Sequence, residues 1–342
     1  MSELRPNPRR RPTLQDVAEL AGVSIPTVSH VLTGNVTVRI SQETRARVRE
    51  AADKLNYQPN RQAQAMKTGR SNLLAVWMPI DRPVVTYMRF LNEIYQLSRE
   101  SNYDVLVYGL GGRDALTKTG KIPGSYPVDG IFSIDAGKAI EAYREDNRND
   151  HVPICVFGYE LVSNGDSVTW QLEEAAYDAV HRMLSKGRNR PVHLTVKWVA
   201  ENYPRERRRR GFCRAVEEFG LEPVLLPVPS ESPWAAECVM REYLASNPAP
   251  DCVFGFTDDL AIGAARALMS SGVSIPADCE LWGVGDYPES ADFPVPISTI
   301  QNELNVIVKQ AWMWMLERIE NPELESRIVE LPMCLIDRVR SV

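Results

Sequence analysis

Residues Thr13–Leu32 read TLQDVAELAGVSIPTVSHVL. Apolar side chains recur at helical spacing between Leu14 and Ala21, and Gly22 then interrupts the pattern. Ser24 can cap a second helix, whose first turn contains Pro26 at the one place where a helix accepts proline. Two short helices around a tight glycine turn are typical of a helix-turn-helix.

A third helix is predicted after Ser41, with Val48, Ala52 and Leu55 on one face to close a small core. The outward side of the second helix would then face the major groove of DNA, where its free N–H groups and short hydroxyls suit phosphate. The alternative is that this side is an ordinary exposed face of a small helical bundle. The outward residues are Ile25, Pro26, Ser29 and His30, and the hydroxyls are those of Ser24, Thr27 and Ser29.

Charge is distributed unevenly along the chain. The whole sequence of 342 residues has a formal net charge of −6. Residues 1–70 contain 12 Lys and Arg against 6 Asp and Glu, which gives +6 and leaves −12 for the remainder. A basic end on an acidic body indicates that the first segment is the part that meets a polyanion.

Composition argues against several other classes of protein. No apolar run approaches the roughly 18 residues of a membrane helix, and no apolar segment follows the basic N-terminus as in a secretory signal. The six cysteines are scattered without a C-x-x-C pair, which is typical of reduced thiols in the cytoplasm. The four histidines lack the spacing of metal ligands. We therefore expect a cytoplasmic protein with no metal, no cofactor and no membrane partner.

From Leu73 onward, short apolar runs alternate with helical patterns. Leu73–Met78 is a continuous apolar run that ends at Pro79, as expected of a buried parallel strand. Repeated strand–helix units predict parallel sheets with right-handed crossovers, and their number indicates two doubly wound lobes. Ligands bind such sheets at the carboxyl ends of the strands, here in a cleft between the lobes. Further strands are predicted at 103–108, 130–134, 154–157, 191–196, 224–228, 252–256 and 280–283, and helices at 87–101, 173–184, 208–219, 234–246 and 260–271.

Three segments resemble the lactose-repressor (LacI/GalR-type) family of transcription regulators. They are the helix-turn-helix at Thr13–Leu32, SQETRARVREAADKLNYQPN at Ser41–Asn60 and RQAQAMKTGRS at Arg61–Ser71. The resemblance extends more weakly through the rest of the chain. It implies an all-α helix-turn-helix headpiece followed by an α/β domain like that of periplasmic binding proteins, with two doubly wound parallel-sheet lobes.

The resemblance also divides the chain into parts. The polypeptide is expected to cross between the lobes near Trp170, Thr299 and Glu330. The helix at Tyr87–Leu97 is a candidate dimer surface. The expected parts are a headpiece at 1–58, a hinge helix at 59–70 and an effector-binding and dimerisation domain at 71–342, with a first lobe at about 71–170 and 300–330 and a second at about 171–299 and 331–342.

The family reads bases with residues at the start of the recognition helix and one turn later, and these positions fall on Ile25, Pro26 and His30. Ile25 and Pro26 can offer only apolar contact, for instance to a thymine methyl group, which leaves His30 as the polar reader. The family's hinge helix folds on operator DNA and wedges an apolar side chain into the minor groove; that side chain is usually leucine and is Met66 here. A packing role for Met66 is the alternative. The predicted DNA contacts are Thr13, Leu14, Ser24, Ile25, Pro26, Thr27, Ser29, His30, Tyr57, Asn60, Ala63, Gln64 and Met66.

The family's effector pocket can be placed on this chain in the same way. Its arginine falls on Arg208, and an aromatic residue that stacks on ligand falls on Trp234. The arginine run around Arg208 could instead form a second nucleic-acid patch, and Trp234 could instead pack within its lobe. The predicted effector contacts are Asp81, Tyr87, Trp170, Arg208, Trp234, Thr257, Asp258, Asp286 and Asn302.

Two aspartates that relatives place in this pocket are replaced by Gly158 and Gly285. Each would normally accept hydrogen bonds from sugar hydroxyls, so an unmatched polar ligand would lose affinity. Either the ligand is not a typical hexose, or Tyr87, Tyr159 or Trp170 compensates, or the regulator works without a ligand. The expected effector is a sugar, a sugar derivative or a nucleobase-like molecule.

These observations predict a sequence-specific transcription regulator that binds a pseudo-palindromic operator as a homodimer under control of a small molecule. A repressor is expected first, and a corepressor-dependent or ligand-activated regulator is the alternative. A solute-binding protein without a DNA role would fit the lobes but not the basic headpiece. An enzyme is not expected, because the sequence lacks a G-x-S-x-G elbow, a P-loop and a dinucleotide fingerprint, although the Asp258–Asp259 pair could suggest acid–base chemistry.

Overall fold

The computed structural model describes residues 12–32, 38–57, 69–80, 85–110, 128–146, 152–158, 165–203, 205–301 and 303–339. The chain divides into two compact units, Met1–Ser71 and Asn72–Val342. Among the described helices, none combines the length and the apolar character that crossing a membrane requires.

The first unit is helical in its described residues. Its first helix begins with a capping box: the backbone N–H of Thr13 donates to Asp16 Oδ2 at 2.7 Å, and the backbone N–H of Asp16 donates to Thr13 Oγ1 at 3.3 Å. The helix ends at Gly22, whose φ of 64° lies in the left-handed region that favours glycine. The helices are α1 (Leu14–Ala21), α2 (Ile25–Leu32) and α3 (Gln42–Lys54).

These three helices enclose one small core. Val17, Val28 and Val48, one from each helix, have no exposed surface. Ala18 and Ala52 are buried beside them, and their small side chains let the helices approach closely. A core of this size buries little apolar area, which gives a unit of marginal stability.

The second unit alternates strands with helices, as the sequence pattern predicts. In chain order the elements are β1 (Leu73–Pro79), α4 (Val85–Glu100), β2 (Asp104–Leu110), β3 (Gly130–Ile134), α5 (Gly137–Asp146), β4 (Ile154–Phe157), β5 (Asp166–Trp170), α6 (Leu172–Leu184), β6 (Pro191–Val196), α7 (Lys197–Asn202), α8 (Arg207–Glu218), β7 (Val224–Val228), α9 (Pro233–Leu244), β8 (Cys252–Gly255), α10 (Asp258–Ser270), β9 (Glu280–Val284), α11 (Pro288–Ala291), β10 (Ser298–Gln301), α12 (Leu304–Glu320), β11 (Ile328–Leu331) and β12 (Cys334–Ile336).

The strands form two sheets of six strands each within the described residues. The first lobe contains the sheet with the order β11-β5-β4-β3-β1-β2, in which all neighbours are parallel. The second lobe contains the sheet with the order β12-β10-β9-β8-β6-β7, in which only the β10–β12 pair is antiparallel. Central strands such as β3 and β9 are buried along their whole length, as parallel strands covered by helices on both faces should be.

The described chain passes between the two sheets at three places. It leaves the first lobe after β5, returns after β10 and leaves again between β11 and β12. The carboxyl ends of β3, β4 and β5 in the first lobe and of β8 and β9 in the second lobe border the space between the lobes. Polar residues that follow these strands are therefore placed to line a shared site.

Candidate DNA-binding and effector sites

The start of helix α2 is the exposed part of the helix-turn-helix. Ser24 Oγ lies 2.8 Å from Thr27 Oγ1 and accepts a 3.4 Å hydrogen bond from the backbone N–H of Thr27, which caps the helix. Val28 points into the core, whereas Ile25 keeps 45% of its surface exposed and Pro26 is exposed beside it. An exposed large apolar side chain at a helix start is available for contact with a partner.

Five of the other nine predicted DNA contacts lie among the described residues. Thr13 and Leu14 are half-buried at the start of α1, and Ser29 and His30 are half-buried on α2. Tyr57 packs against the headpiece core. The remaining four, Asn60, Ala63, Gln64 and Met66, lie outside the described residues.

A cavity of about 80 Å³ lies between the two lobes. Both lobes supply its walls, and most of its lining side chains are apolar or aromatic, as is usual for small-molecule sites. The lining residues are Thr86, Tyr87, Phe90, Ile134, Asp135, Phe157, Gly158, Thr169, Trp170, Leu172, Arg207, Arg208, Glu231, Phe256, Thr257, Val284, Gly285, Tyr287 and Met333.

Four of the predicted effector contacts line this cavity, namely Tyr87, Trp170, Arg208 and Thr257. The Arg208 side chain donates to Glu206 Oε1 at 3.0 Å and to the backbone oxygen of Phe256 at 2.7 Å, and its guanidinium lies 3.6 Å from the centre of the Phe256 ring. Its geometry is therefore fixed before any ligand binds.

Three other predicted contacts do not line the cavity. Trp234 is 70% exposed at the start of α9. The Asp286 carboxylate forms an ion pair with Arg338 at 2.7 Å and accepts a hydrogen bond from the Gln301 amide at 2.8 Å. Asp258 is fully buried. Asp81 and Asn302, together with Tyr159, lie outside the described residues.

Asp258 organises the loop after β9. Its carboxylate accepts hydrogen bonds from Thr299 Oγ1 at 2.6 Å, from the backbone N–H of Tyr287 at 2.7 Å and from Ser290 Oγ at 3.0 Å. Burial raises the pKa of this carboxyl, against the effect of the three donors. Asp258 thereby fixes the position of Tyr287, whose ring does line the cavity.

Sequence reasoning missed several residues of the cavity wall. Asp135 directly follows β3, Tyr287 follows β9, and Glu231 follows β7, each close to the carboxyl end of a strand. The general rule that ligands bind at these ends was the available signal. Arg207 was missed because the family's one pocket arginine was placed on Arg208, its neighbour in the same arginine run.

Hydrogen bonds also join the lobes directly at this site. Arg89 on α4 donates to the backbone oxygen of Gly285 at 2.9 Å, and Thr86 Oγ1 lies 3.1 Å from the hydroxyl of Tyr287. Arg207 on α8 donates to the backbone oxygen of Trp170 at 2.7 Å. Thr86, Tyr287 and Arg207, which line the cavity, and Arg89, which does not, therefore hold the two lobes together.

A helix-turn-helix unit followed by a two-lobed α/β unit with an interlobe cavity defines a ligand-responsive transcription regulator that binds DNA. Residues 13–60 match the family described as bacterial regulatory proteins, lacI family, and residues 180–339 match the periplasmic binding protein-like domain. The chain is therefore similar to the LacI family of bacterial regulatory proteins over residues 13–60, and to periplasmic binding protein-like domains over residues 180–339.

Curated relatives are similar over nearly the whole chain. The HTH-type transcriptional repressor PurR of Vibrio parahaemolyticus is 25% identical over 337 residues, which cover 93% of this chain and 95% of the relative. The HTH-type transcriptional regulator AglR of Rhizobium meliloti is 28% identical over 340 residues, with 93% and 92% covered. Catabolite control protein A of Priestia megaterium is 25% identical over 326 residues, with 94% and 96% covered.

Solved structures share the fold. The lac repressor dimer bound to operator and the anti-inducer ONPF matches with a TM-score of 0.83 at 22% identity, over 96% of this chain and 98% of that one. The complex of the transcriptional regulator CelR with cellobiose matches with a TM-score of 0.67 at 21% identity, over 96% and 99%.

Proposed function

We propose that this protein is a transcriptional repressor that binds a two-fold symmetric operator as a homodimer and is controlled by a small molecule held between its lobes. One observation carries the proposal: a capped, exposed α2 in the first unit occurs in the same chain as a cavity walled by both lobes of the second. The name of PurR, a transcriptional repressor, supports the repressor role, and the name of AglR supports regulation of transcription.

Base recognition is assigned to α2. Its exposed start offers Ile25 and Pro26 for apolar contact in the major groove, and His30 one turn later supplies a polar side chain. Phosphate contacts from Ser24 and Thr27 would orient the helix without reading sequence. Two copies in a dimer would read two half-sites about one helical turn apart, near 34 Å.

Control by the effector follows from the position of the cavity. A molecule that touches both lobes binds the closed arrangement better than an open one, so it shifts the balance between them by its difference in affinity. We propose that this shift between closed and open lobes changes the affinity of the protein for its operator. Release of DNA identifies an inducer, and tighter binding identifies a corepressor.

Catalysis is not part of the proposed function. The Asp258 carboxylate is buried and fully hydrogen-bonded, which leaves it no access to a substrate. Burial raises the pKa of the neighbouring Asp259 to about 6, but Asp259 does not line the cavity. As a regulator of transcription, the protein is proposed to act in the cytoplasm, where bacterial DNA lies.

Selection of duplexes from random DNA with the full-length protein tests the DNA step. The expected result is an enriched two-fold symmetric site. His30→Ala should lose the preference at one position of each half-site, at a cost of about 1–3 kcal/mol per base contact, and keep its salt-dependent affinity for unrelated DNA. His181→Ala, in the second unit, is the matched control and should select the same site as the wild type. Failure to enrich any symmetric site at low salt would contradict the proposal.

A further inference from the structure

Two residues that line the interlobe cavity each contain a buried polar side-chain atom that has no hydrogen-bond partner among the described residues. These atoms are Nε1 of Trp170 and Oγ1 of Thr257. Thr257 is 94% buried, since only 6% of its surface is exposed, and both residues line the cavity, one from each lobe. A buried donor without a hydrogen bond costs free energy. A ligand that offers an acceptor to the Nε1–H of Trp170 would remove this cost and therefore bind more tightly.

A carboxylate faces the same cavity from the end of β3. Asp135 has a φ of 47°, an uncommon backbone conformation for a residue other than glycine, and its Oδ2 accepts a 2.9 Å hydrogen bond from the hydroxyl of Tyr87. Gly158 lies next to it with a φ of 119°, and a Cβ at position 158 would collide with Oδ1 of Asp135. The absence of a side chain at Gly158 therefore makes the space that the Asp135 carboxylate occupies. An ionised carboxylate only accepts hydrogen bonds, so the group it binds must be a donor.

The arginines of the cavity are already matched by protein partners. Arg208 is paired with Glu206, and Arg207 donates to Glu330 at 2.7 Å. Asp135 and Glu231 add negative charge to the wall. The cavity therefore has no excess of positive charge that would favour an anion.

The remaining walls are largely apolar, and they include the rings of Phe90, Phe157, Phe256 and Tyr287 beside the Trp170 ring. A sugar would bring several hydroxyls into contact with these rings, and each buried hydroxyl without a partner costs free energy. A flat ring would instead bury its faces against them. The cavity of about 80 Å³ is several times the ~10–15 Å³ that holds one water molecule, which suits a small ring rather than a disaccharide.

We infer that the effector is an uncharged, flat nitrogen heterocycle of nucleobase type, which donates an N–H to Asp135 and accepts a hydrogen bond from Trp170 Nε1. This inference rests on the proposed function, because it names the ligand of the site through which that function is controlled. Asp135 and Trp170 are then the residues that determine specificity, and Gly158 is required to make room for the carboxylate.

Isothermal titration of the full-length protein tests the inference. Adenine, hypoxanthine, guanine, cytosine and uracil form one panel, and glucose, galactose and ribose form the other. At least one base should bind, and none of the sugars should bind at the same concentration. Trp170→Phe keeps an aromatic side chain, with one ring in place of the two fused rings of indole, and removes the Nε1–H; it should weaken base binding about tenfold. Trp314→Phe removes the same group from a tryptophan outside the cavity and should leave binding unchanged.

Asp135→Asn is the second variant, and should weaken base binding roughly ten- to hundredfold because a charged acceptor is lost. Selection of the wild-type operator by each variant shows that it is folded, so a variant that fails this check is set aside and the other carries the test. Binding of a sugar but of no base, binding of neither panel, or base binding that Trp170→Phe and Asp135→Asn leave intact would each overturn the inference. None of these results bears on operator selection, whose failure would overturn the proposed function instead.

Discussion

His193 is a buried histidine in the second lobe that lies outside the cavity lining. Its ring packs against both Phe212 and Phe254, with centroid distances of 5.3 and 5.2 Å. Its Nδ1 lies 2.8 Å from the backbone oxygen of Phe254, and because a carbonyl only accepts, Nδ1 carries the proton of the neutral ring. Burial lowers the pKa of His193 from 6.5 to about 4.

This shift predicts a loss of stability in mild acid. Below pH 6.5 the unfolded chain binds a proton at His193 that the folded chain does not bind until about pH 4. The free energy of unfolding should therefore fall by up to about 3 kcal/mol on this account as the pH drops from 6.5 to 4. Urea unfolding of the wild type and of His193→Phe, at several pH values, measures the difference. Equal pH dependence in both proteins would contradict the assignment.

Helices α6 and α8 pack closely because of one glycine. A Cβ at Gly211 in α8 would collide with the backbone oxygen of Glu173 in α6 and would lie 2.8 Å from the backbone nitrogen of Tyr177. Backbone atoms cannot move aside as a flexible side chain can. The glycine of the segment RRRGF thus positions α8, which carries Arg207 and Arg208 at its start.

Gly211→Ala should therefore separate these helices. Overpacking of this kind costs about 1–3 kcal/mol, although alanine is the better helix former. Thermal unfolding should show a lower Tm, and the displaced Arg208 should weaken effector binding. Glu217→Ala, exposed on the same helix, is the control and should change the Tm little. An unchanged Tm for Gly211→Ala would show that the close approach imposes no constraint.

At the scale of the whole molecule, the contacts across the cavity set how firmly the lobes close. Arg89 on α4 and Gly285 on the loop after β9 belong to different lobes, and their 2.9 Å hydrogen bond needs both lobes in place. A net hydrogen bond from a charged donor contributes about 1.5–3 kcal/mol. This is enough to change the ratio of closed to open molecules by tenfold or more.

Arg89→Ala should therefore open the effector-free protein. Small-angle X-ray scattering should report a larger radius of gyration than for the wild type, and effector should restore the smaller value. Arg99→Ala removes an exposed arginine from the last turn of the same helix and should leave the radius unchanged. The same radius for Arg89→Ala and wild type would show that this contact does not hold the lobes.

Assembly of the proposed dimer should involve the outer face of α4. Met88 and Tyr95 are seven residues apart on one helical face and are 60% and 52% exposed. Tyr95→Glu should place a charge in the interface, shift the protein towards monomer in analytical ultracentrifugation and weaken operator binding. Gln96→Glu adds the same charge at a neighbouring exposed position and should leave the dimer intact. A dimer unaffected by Tyr95→Glu would place the interface elsewhere.

Some elements of this fold could not be predicted from their own sequence. Helix α12 includes the run Trp312–Met315, in which apolar residues fall on several sides of the helix and hide its periodicity. Strands β11 and β12 are short and half-exposed, and they are ordered by pairing with β5 and β10, which lie far away along the chain. The predicted domain boundaries and DNA contacts remain predictions.

The sequence by itself determined the helix-turn-helix and the alternation of strands and helices. Helix caps, the Gly22 turn and buried apolar runs depend on residues only a few positions apart, so the local sequence is enough to predict them. Only the tertiary structure decided which side chains meet in the cavity. It brings Asp135 beside Gly158 and places Asp258 behind Tyr287. Such neighbours are set by the packing of two sheets and by the room that one residue leaves for another, and neither is encoded in local sequence.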